Sequence, residues 1–200
     1  MLPMEELSMF IKNWKTEIIT IPNLLSLFRL ALIPVYMRLY LNAQSPEEYY
    51  TAGGILAVSC LTDAIDGQVA RRFHMITNVG KILDPLADKA TQFAVLLCLM
   101  GKYPFLQGLM LLFAVKELFQ LAAGAANLRK GKMLPGALMA GKVSTAVLFV
   151  SLILLVLFPG LSTRTVKTIS LVDTLFLAGS FVSYLIAYLG KHTKVQDLPE

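Results

Sequence analysis

Residues 63–88 read DAIDGQVARRFHMITNVGKILDPLAD and set four aspartates, Asp63, Asp66, Asp84 and Asp88, inside strongly apolar surroundings. Asp63 and Asp66 are three apart, Asp84 and Asp88 four apart. Either spacing puts a pair of carboxylates on one face of a helix. At membrane depth one carboxylate costs on the order of 3 kcal/mol, so four require compensating charge. Divalent cations with oxygen ligands supply it most simply. Two helices that each present two carboxylates can hold two such ions close together, an arrangement that suits a pyrophosphate during phosphoryl transfer. Gly67 and Ala70 remove bulk from the face that carries Asp63 and Asp66, so a ligand can approach the backbone there. Arg71 ends the same helix with a planar fork suited to phosphate oxygens, and Gly80 opens the next one. A purely structural role for the acids would pair them with Arg71, Lys81 and Lys89, a poor balance of four carboxylates against three basic side chains.

Working outward, the chain has 200 residues, of which 56% are apolar and 16% charged, with a mean hydropathy of +0.65. That is too apolar for an ordinary soluble domain. A spanning helix takes about 20 residues, and the apolar runs predict six: about Asn23 to Leu41, Tyr50 to Arg71, Gly80 to Met100, Phe105 to Leu128, Ala137 to Phe158 and Val166 to Leu189. Pro34 falls inside the first and is expected to kink it. The expected fold is an all-α integral membrane bundle of six transmembrane helices (residues 21–192). An amphipathic interfacial helix precedes it (residues 1–20), with Phe10, Ile11, Trp14 and Ile18 on one side, and a short cytoplasmic tail follows (residues 193–200). Cys60 and Cys98 lie in apolar context and are expected to be reduced.

Basic residues decide orientation. Lys12, Lys15, Arg71, Arg72, Arg129, Lys130, Lys132, Lys191 and Lys194 fall on one side, and Arg38, Lys102, Arg164 and Lys167 on the other. The first set marks the cytoplasmic side and puts both termini and the aspartate cluster there. A net charge of +5 favours anionic lipid headgroups. Nucleic-acid binding is a poor reading, because the basic residues are dispersed in short loops.

The aspartate stretch can be written D-x-x-D-G-x-x-A-R, eight residues, then G-x-x-x-D-x-x-x-D. In that form it resembles the signature of the CDP-alcohol phosphotransferase family at every fixed position: Asp63, Asp66, Gly67, Ala70, Arg71, Gly80, Asp84 and Asp88. The resemblance implies an integral membrane enzyme in which an alcohol attacks CDP-diacylglycerol and CMP leaves. It implies two divalent ions, Mg²⁺ or Mn²⁺, held chiefly by Asp63, Asp66 and Asp84. Asp88 would act as general base and touch the second metal. Asp66, Gly67, Ala70, Arg71, Thr77 and Gly80 would line the CDP site. It also implies a homodimer.

The segment IPNLLSLFR (21–29) resembles the start of phosphatidylglycerophosphate synthases, in which Asn23, Ser26 and Arg29 would face the nucleotide or the headgroup. The simpler reading makes Asn23 a helix cap and Arg29 a snorkelling side chain. Lys116–Glu117 lies within an apolar run, where charge is a functional signal by default. Those synthases usually carry Arg-Glu at that place, and lysine lacks the bidentate fork. Gly141-Lys142-Val143-Ser144-Thr145 resembles their Gly-Lys-x-x-Thr stretch. Lys116, Arg129 and Lys142 are therefore expected to form a basic pocket for a phosphorylated acceptor, sn-glycerol 3-phosphate. Phosphatidylglycerol as acceptor would make a cardiolipin synthase, and serine or inositol phosphate another headgroup transferase. From other classes, a cation- or proton-coupled transporter or a non-catalytic scaffold would also carry intramembrane acids. His74 reads as a loop residue. Asp173 is a lone acid in the last helix and is expected near the outer surface.

Overall fold

The computed structural model describes residues 20–72, 80–128, 132–133, 138–189 and 196–197. Among them the chain forms six α-helices: α1 (Ile21–Asn42), α2 (Pro46–Arg72), α3 (Gly80–Lys102), α4 (Gln107–Leu128), α5 (Met139–Leu157) and α6 (Thr163–Leu189). Each expected span finds its helix. A 3₁₀ turn, Pro104–Leu106, precedes α4, and Lys132–Met133 pairs antiparallel with Gln196–Asp197. The expected interfacial helix lies outside the described residues.

Local chemistry explains the helix starts. Thr20 is the residue before α1, in extended conformation, and Pro22 stands in the first turn, where its missing N–H forfeits no helical bond. Asn23 is therefore not the cap. Ser45 and Glu48 form a reciprocal box at the start of α2: the Glu48 N–H donates to Ser45 Oγ and the Ser45 N–H to Glu48 Oε2, satisfying amides a helix start leaves open. Ser162 Oγ accepts from the Thr165 N–H ahead of α6.

Two compact units divide the chain. One holds α1, α2, α3 to Gly101 and the end of α5; the other holds α4, most of α5 and α6. In the first, α1 packs along α2 over a core that includes Tyr36, Tyr40, Leu56, Leu96 and Leu99. In the second, α4 packs with α6 and the core includes Phe113, Leu148, Leu152 and Leu177. Cys60 and Cys98 are free thiols.

The outside of these helices is apolar and parts of their inside are polar, the inverse of a soluble protein. On α1, Asn23, Ser26 and Arg29 are buried while Leu24, Leu27 and Phe28 are exposed. On α4 and α6, Leu111, Leu118, Leu121, Leu171, Leu175 and Ile186 are each at least 60% exposed. Surface of this kind needs lipid or protein to cover it. Among the described residues four helices are long and apolar enough to cross a membrane: Ile21–Asn42, Pro104–Asn127, Met139–Leu157 and Thr163–Tyr188. The two aspartate helices, α2 and α3, fall outside that set. Glu47, Glu48, Asp63, Asp66, Arg71 and Arg72 load α2 with charge, and Lys81, Asp84, Asp88, Lys89 and Lys102 load α3. Both still carry outward apolar stripes, Val58, Leu61 and Ile65 on α2 and Leu86, Phe93 and Leu97 on α3.

Candidate active site

Three helices of the first unit converge on the aspartates. Asp63 lies near the end of α2, and Asp84 and Asp88 in the first half of α3. The polar face of α1 meets all three. Residues 23, 26 and 29 recur at three-residue spacing, so they share one side of the helix, and they are 1%, 0% and 2% exposed. Arg29 Nη1 stands 2.5 Å from Asp63 Oδ1 and 2.5 Å from Asp88 Oδ1. One turn earlier, Ser26 Oγ donates to Asp84 Oδ1 at 2.5 Å and lies 3.2 Å from the Pro22 carbonyl. The Asp63 and Asp88 side chains are 44% exposed whereas that of Arg29 is 3% exposed. The carboxylates thus face open space on one side and a sealed cation on the other.

Arg29 does not snorkel. Its burial against two acids rules out that simpler reading, and its partners are Asp63 and Asp88. The signal was present in the sequence: an apolar helix whose few polar residues recur on one face turns that face inward.

The remaining expected site residues divide by place. Asp66, Gly67, Ala70 and Arg71 belong to the last two turns of α2 by backbone, with side chains outside the described residues. Thr77, His74 and Arg129 also lie outside them. Gly80 is buried at the start of α3. Among the described residues no group of three or more His, Cys, Asp or Glu side chains gathers at one point; Arg29 stands between two of the acids.

In the second unit, Lys116 is 1% exposed, and its Nζ is 2.8 Å from Glu117 Oε1. Lys142 is exposed in the first turn of α5. Gly141 before it lies under Tyr184 of α6: a Cβ there would stand 2.5 Å from the Tyr184 hydroxyl, which also accepts the Leu138 N–H at 3.2 Å. Asp173 turns inward among the helices. It is 1% exposed, and Ser151 Oγ donates to its Oδ1 at 2.8 Å. A lone acid in an apolar helix turns toward a hydroxyl on its neighbour, because lipid offers no partner.

A family model described as CDP-alcohol phosphatidyltransferase matches residues 19–185. The chain belongs to the CDP-alcohol phosphatidyltransferase family. Over 140 residues it is 38% identical to the CDP-diacylglycerol--glycerol-3-phosphate 3-phosphatidyltransferase of Aquifex aeolicus, covering 68% of this chain and 73% of that protein. Over 90 residues it is 40% identical to the Bacillus subtilis protein of the same name, covering 40% of this chain and 47% of the relative. Over 146 residues it is 32% identical to the cardiolipin synthase (CMP-forming) of Streptomyces coelicolor, covering 72% and 68%. The match takes in all six helices up to Leu185 of α6. Membership and the four apolar spans together mark an integral membrane protein.

Proposed function

We propose that this chain transfers the phosphatidyl group of CDP-diacylglycerol to sn-glycerol 3-phosphate, releasing CMP and forming phosphatidylglycerophosphate. The observation that carries the reading is that the polar face of α1 contacts acids of two helices, Asp63 and Asp88 through Arg29 and Asp84 through Ser26. Relatives named for the glycerol 3-phosphate reaction support the acceptor, as does the buried cation of Lys116.

The step is a displacement at phosphorus. The acceptor hydroxyl oxygen attacks the β-phosphorus of CDP-diacylglycerol, the bond from that phosphorus to the bridging oxygen breaks, and CMP leaves with the electron pair. Asp88 takes the hydroxyl proton, as a carboxylate open to solvent on one side can. Gly67 and Ala70 let the donor approach the backbone of α2, and Arg71 binds a phosphate oxygen by its fork. Lys116, Arg129 and Lys142 hold the acceptor's phosphate.

The acids also fit a metal. Asp63 and Asp88 point one oxygen each at a single cationic nitrogen, so an all-oxygen donor set already converges on positive charge, as hard divalent cations require. Asp63, Asp66, Asp84 and Asp88 would hold Mg²⁺ or Mn²⁺ there. When bound, the ions neutralise pyrophosphate and leaving-group oxygens.

The same arrangement implies six membrane spans. Asp63, Asp84 and Asp88 meet the polar face of α1 while the apolar stripes of α2 and α3 turn outward, which suits the two helices to lipid despite their composition. Both termini and the site then lie on the cytoplasmic side, where the basic loops collect.

The Streptomyces coelicolor relative favours a second reading, phosphatidylglycerol as acceptor. Purified protein supplied with CDP-diacylglycerol, Mg²⁺ and one labelled acceptor at a time separates the two. CMP release with glycerol 3-phosphate alone is the expected result. Release with phosphatidylglycerol instead would keep the mechanism and replace the acceptor. No release with any alcohol would sink the transferase reading in favour of a transporter.

A further inference from the structure

Arg29 occupies the place where two acids from different helices meet. One nitrogen, Nη1, is 2.5 Å from an oxygen of Asp63 and 2.5 Å from an oxygen of Asp88. The two carboxylates therefore lie within two hydrogen-bond lengths of each other. Unneutralised like charges so close together are costly in a low-dielectric setting. The guanidinium relieves that cost by the means a metal would use, positive charge placed between them. It also uses the oxygens a metal would use: an ion ligated at about 2.0–2.6 Å by Asp63 Oδ1 or Asp88 Oδ1 leaves no room for a guanidinium nitrogen at hydrogen-bond distance from the same atom on the same side. Two cations crowded onto the same pair of carboxylates would moreover repel each other.

We propose that Arg29 is the built-in counter-cation of this carboxylate site, and that divalent-cation binding and release of Arg29 from Asp63 and Asp88 are one exclusive exchange. Ser26 does not take part, because its contact with Asp84 is made by a neutral hydroxyl. The exposure pattern suits the exchange. The carboxylates are 44% exposed and Arg29 is 3% exposed, so an ion from solvent can reach the acids that hold the guanidinium. The released charge would move within reach of whatever anion sits against the metal. The proposal rests on reading Asp63 and Asp88 as metal ligands, and the test separates the two ideas.

The test measures Mn²⁺ binding to the full chain in detergent, through the electron paramagnetic resonance signal of free Mn²⁺, for wild type and Arg29→Gln. Exchange predicts that Arg29→Gln binds Mn²⁺ at least tenfold more tightly, because the internal competitor is gone. If Arg29 instead orders the acids for the metal, the variant binds equally or more weakly, and the proposal is overturned while the metal reading stands. Should wild type bind no Mn²⁺, both fall. A second measurement avoids dependence on the variant's folding. Wild-type protein is treated with phenylglyoxal with and without Mn²⁺, and modification of Arg29 is read by peptide mass spectrometry. Severalfold greater modification with Mn²⁺ is expected; unchanged or reduced modification overturns the exchange.

Discussion

The hydroxyl of Tyr184 fills the space that any side chain at Gly141 would need, so these two residues lock the start of α5 against α6. A Cβ at position 141 would lie 2.5 Å from that hydroxyl and 2.8 Å from the ring, and the backbone leaves no slack because the Leu138 N–H donates to the same oxygen. Gly141→Ala is therefore expected to destabilise the protein by about 1–3 kcal/mol, the usual range for overpacking. The two positions should also couple. In a double-mutant cycle with Tyr184→Leu, measured by thermal unfolding in detergent, the combined loss should be smaller than the sum of the single losses. Additive losses would show that the close approach is relieved elsewhere.

Asp88→Asn keeps the shape of the side chain and removes its capacity to take a proton. CMP release should fall by about 10²–10⁴-fold, the usual contribution of a positioned base, with elution on size exclusion unchanged. Retention of more than a tenth of the rate would move the base to another residue.

Lys116→Met tests the acceptor pocket. Lys116 is 1% exposed, and methionine keeps most of its apolar length. Loss of one charged hydrogen bond to phosphate is worth about 1.5–3 kcal/mol. The KM for glycerol 3-phosphate should then rise by about 10–100-fold while kcat changes little. An unchanged KM would confine Lys116 to its pairing with Glu117, 2.8 Å away.

Ser151→Ala should destabilise modestly. It removes the donor to Asp173 Oδ1, in a side chain whose Oδ2 has no hydrogen-bond partner among the described residues. Interhelical hydrogen bonds in membranes average about 0.6 kcal/mol and reach about 1.7. Thermal unfolding in detergent measures it, and a stabilised variant would contradict a supporting role for the bond.

Orientation is open to direct labelling. With Cys60 and Cys98 replaced by serine, Arg72→Cys should react with an impermeant thiol reagent from the cytoplasmic side only, and Arg164→Cys from the opposite side only. Both are exposed positions. Reaction of both from one side would contradict the odd number of crossings, α3, α4 and α5, that the six-span reading puts between them.

The helix count and the outline of the site were legible in the sequence, and the reasons are local. Apolar runs of sufficient length form helices wherever backbone groups lack water, and turn residues such as Pro46 and Pro104 mark breaks between them. The aspartate spacings carried the chemistry, because three- and four-residue steps put side chains on one helical face. Membrane fitness of α2 and α3 was less legible. Composition adds their charges up without regard to direction, whereas in the fold Asp63 and Asp88 pair with the buried Arg29 and Leu61, Ile65, Leu86 and Phe93 lie outward. The direction of Asp173 was illegible for a related reason: one acid in one helix has no periodicity to say which way it faces, and the fold turns it toward Ser151.

By itself, the sequence determined which residues carry charge into an apolar chain and which of them share a helical face, because both depend on covalent order and on the pitch of a helix. Which charges meet was decided only by tertiary structure. Arg29 is 34 residues from Asp63 and 59 from Asp88 along the chain, and nothing in local spacing pairs them. They meet because α1 packs along α2, because its inward face has polar side chains to bury, and because a buried guanidinium needs a carboxylate more than any single carboxylate needs that guanidinium.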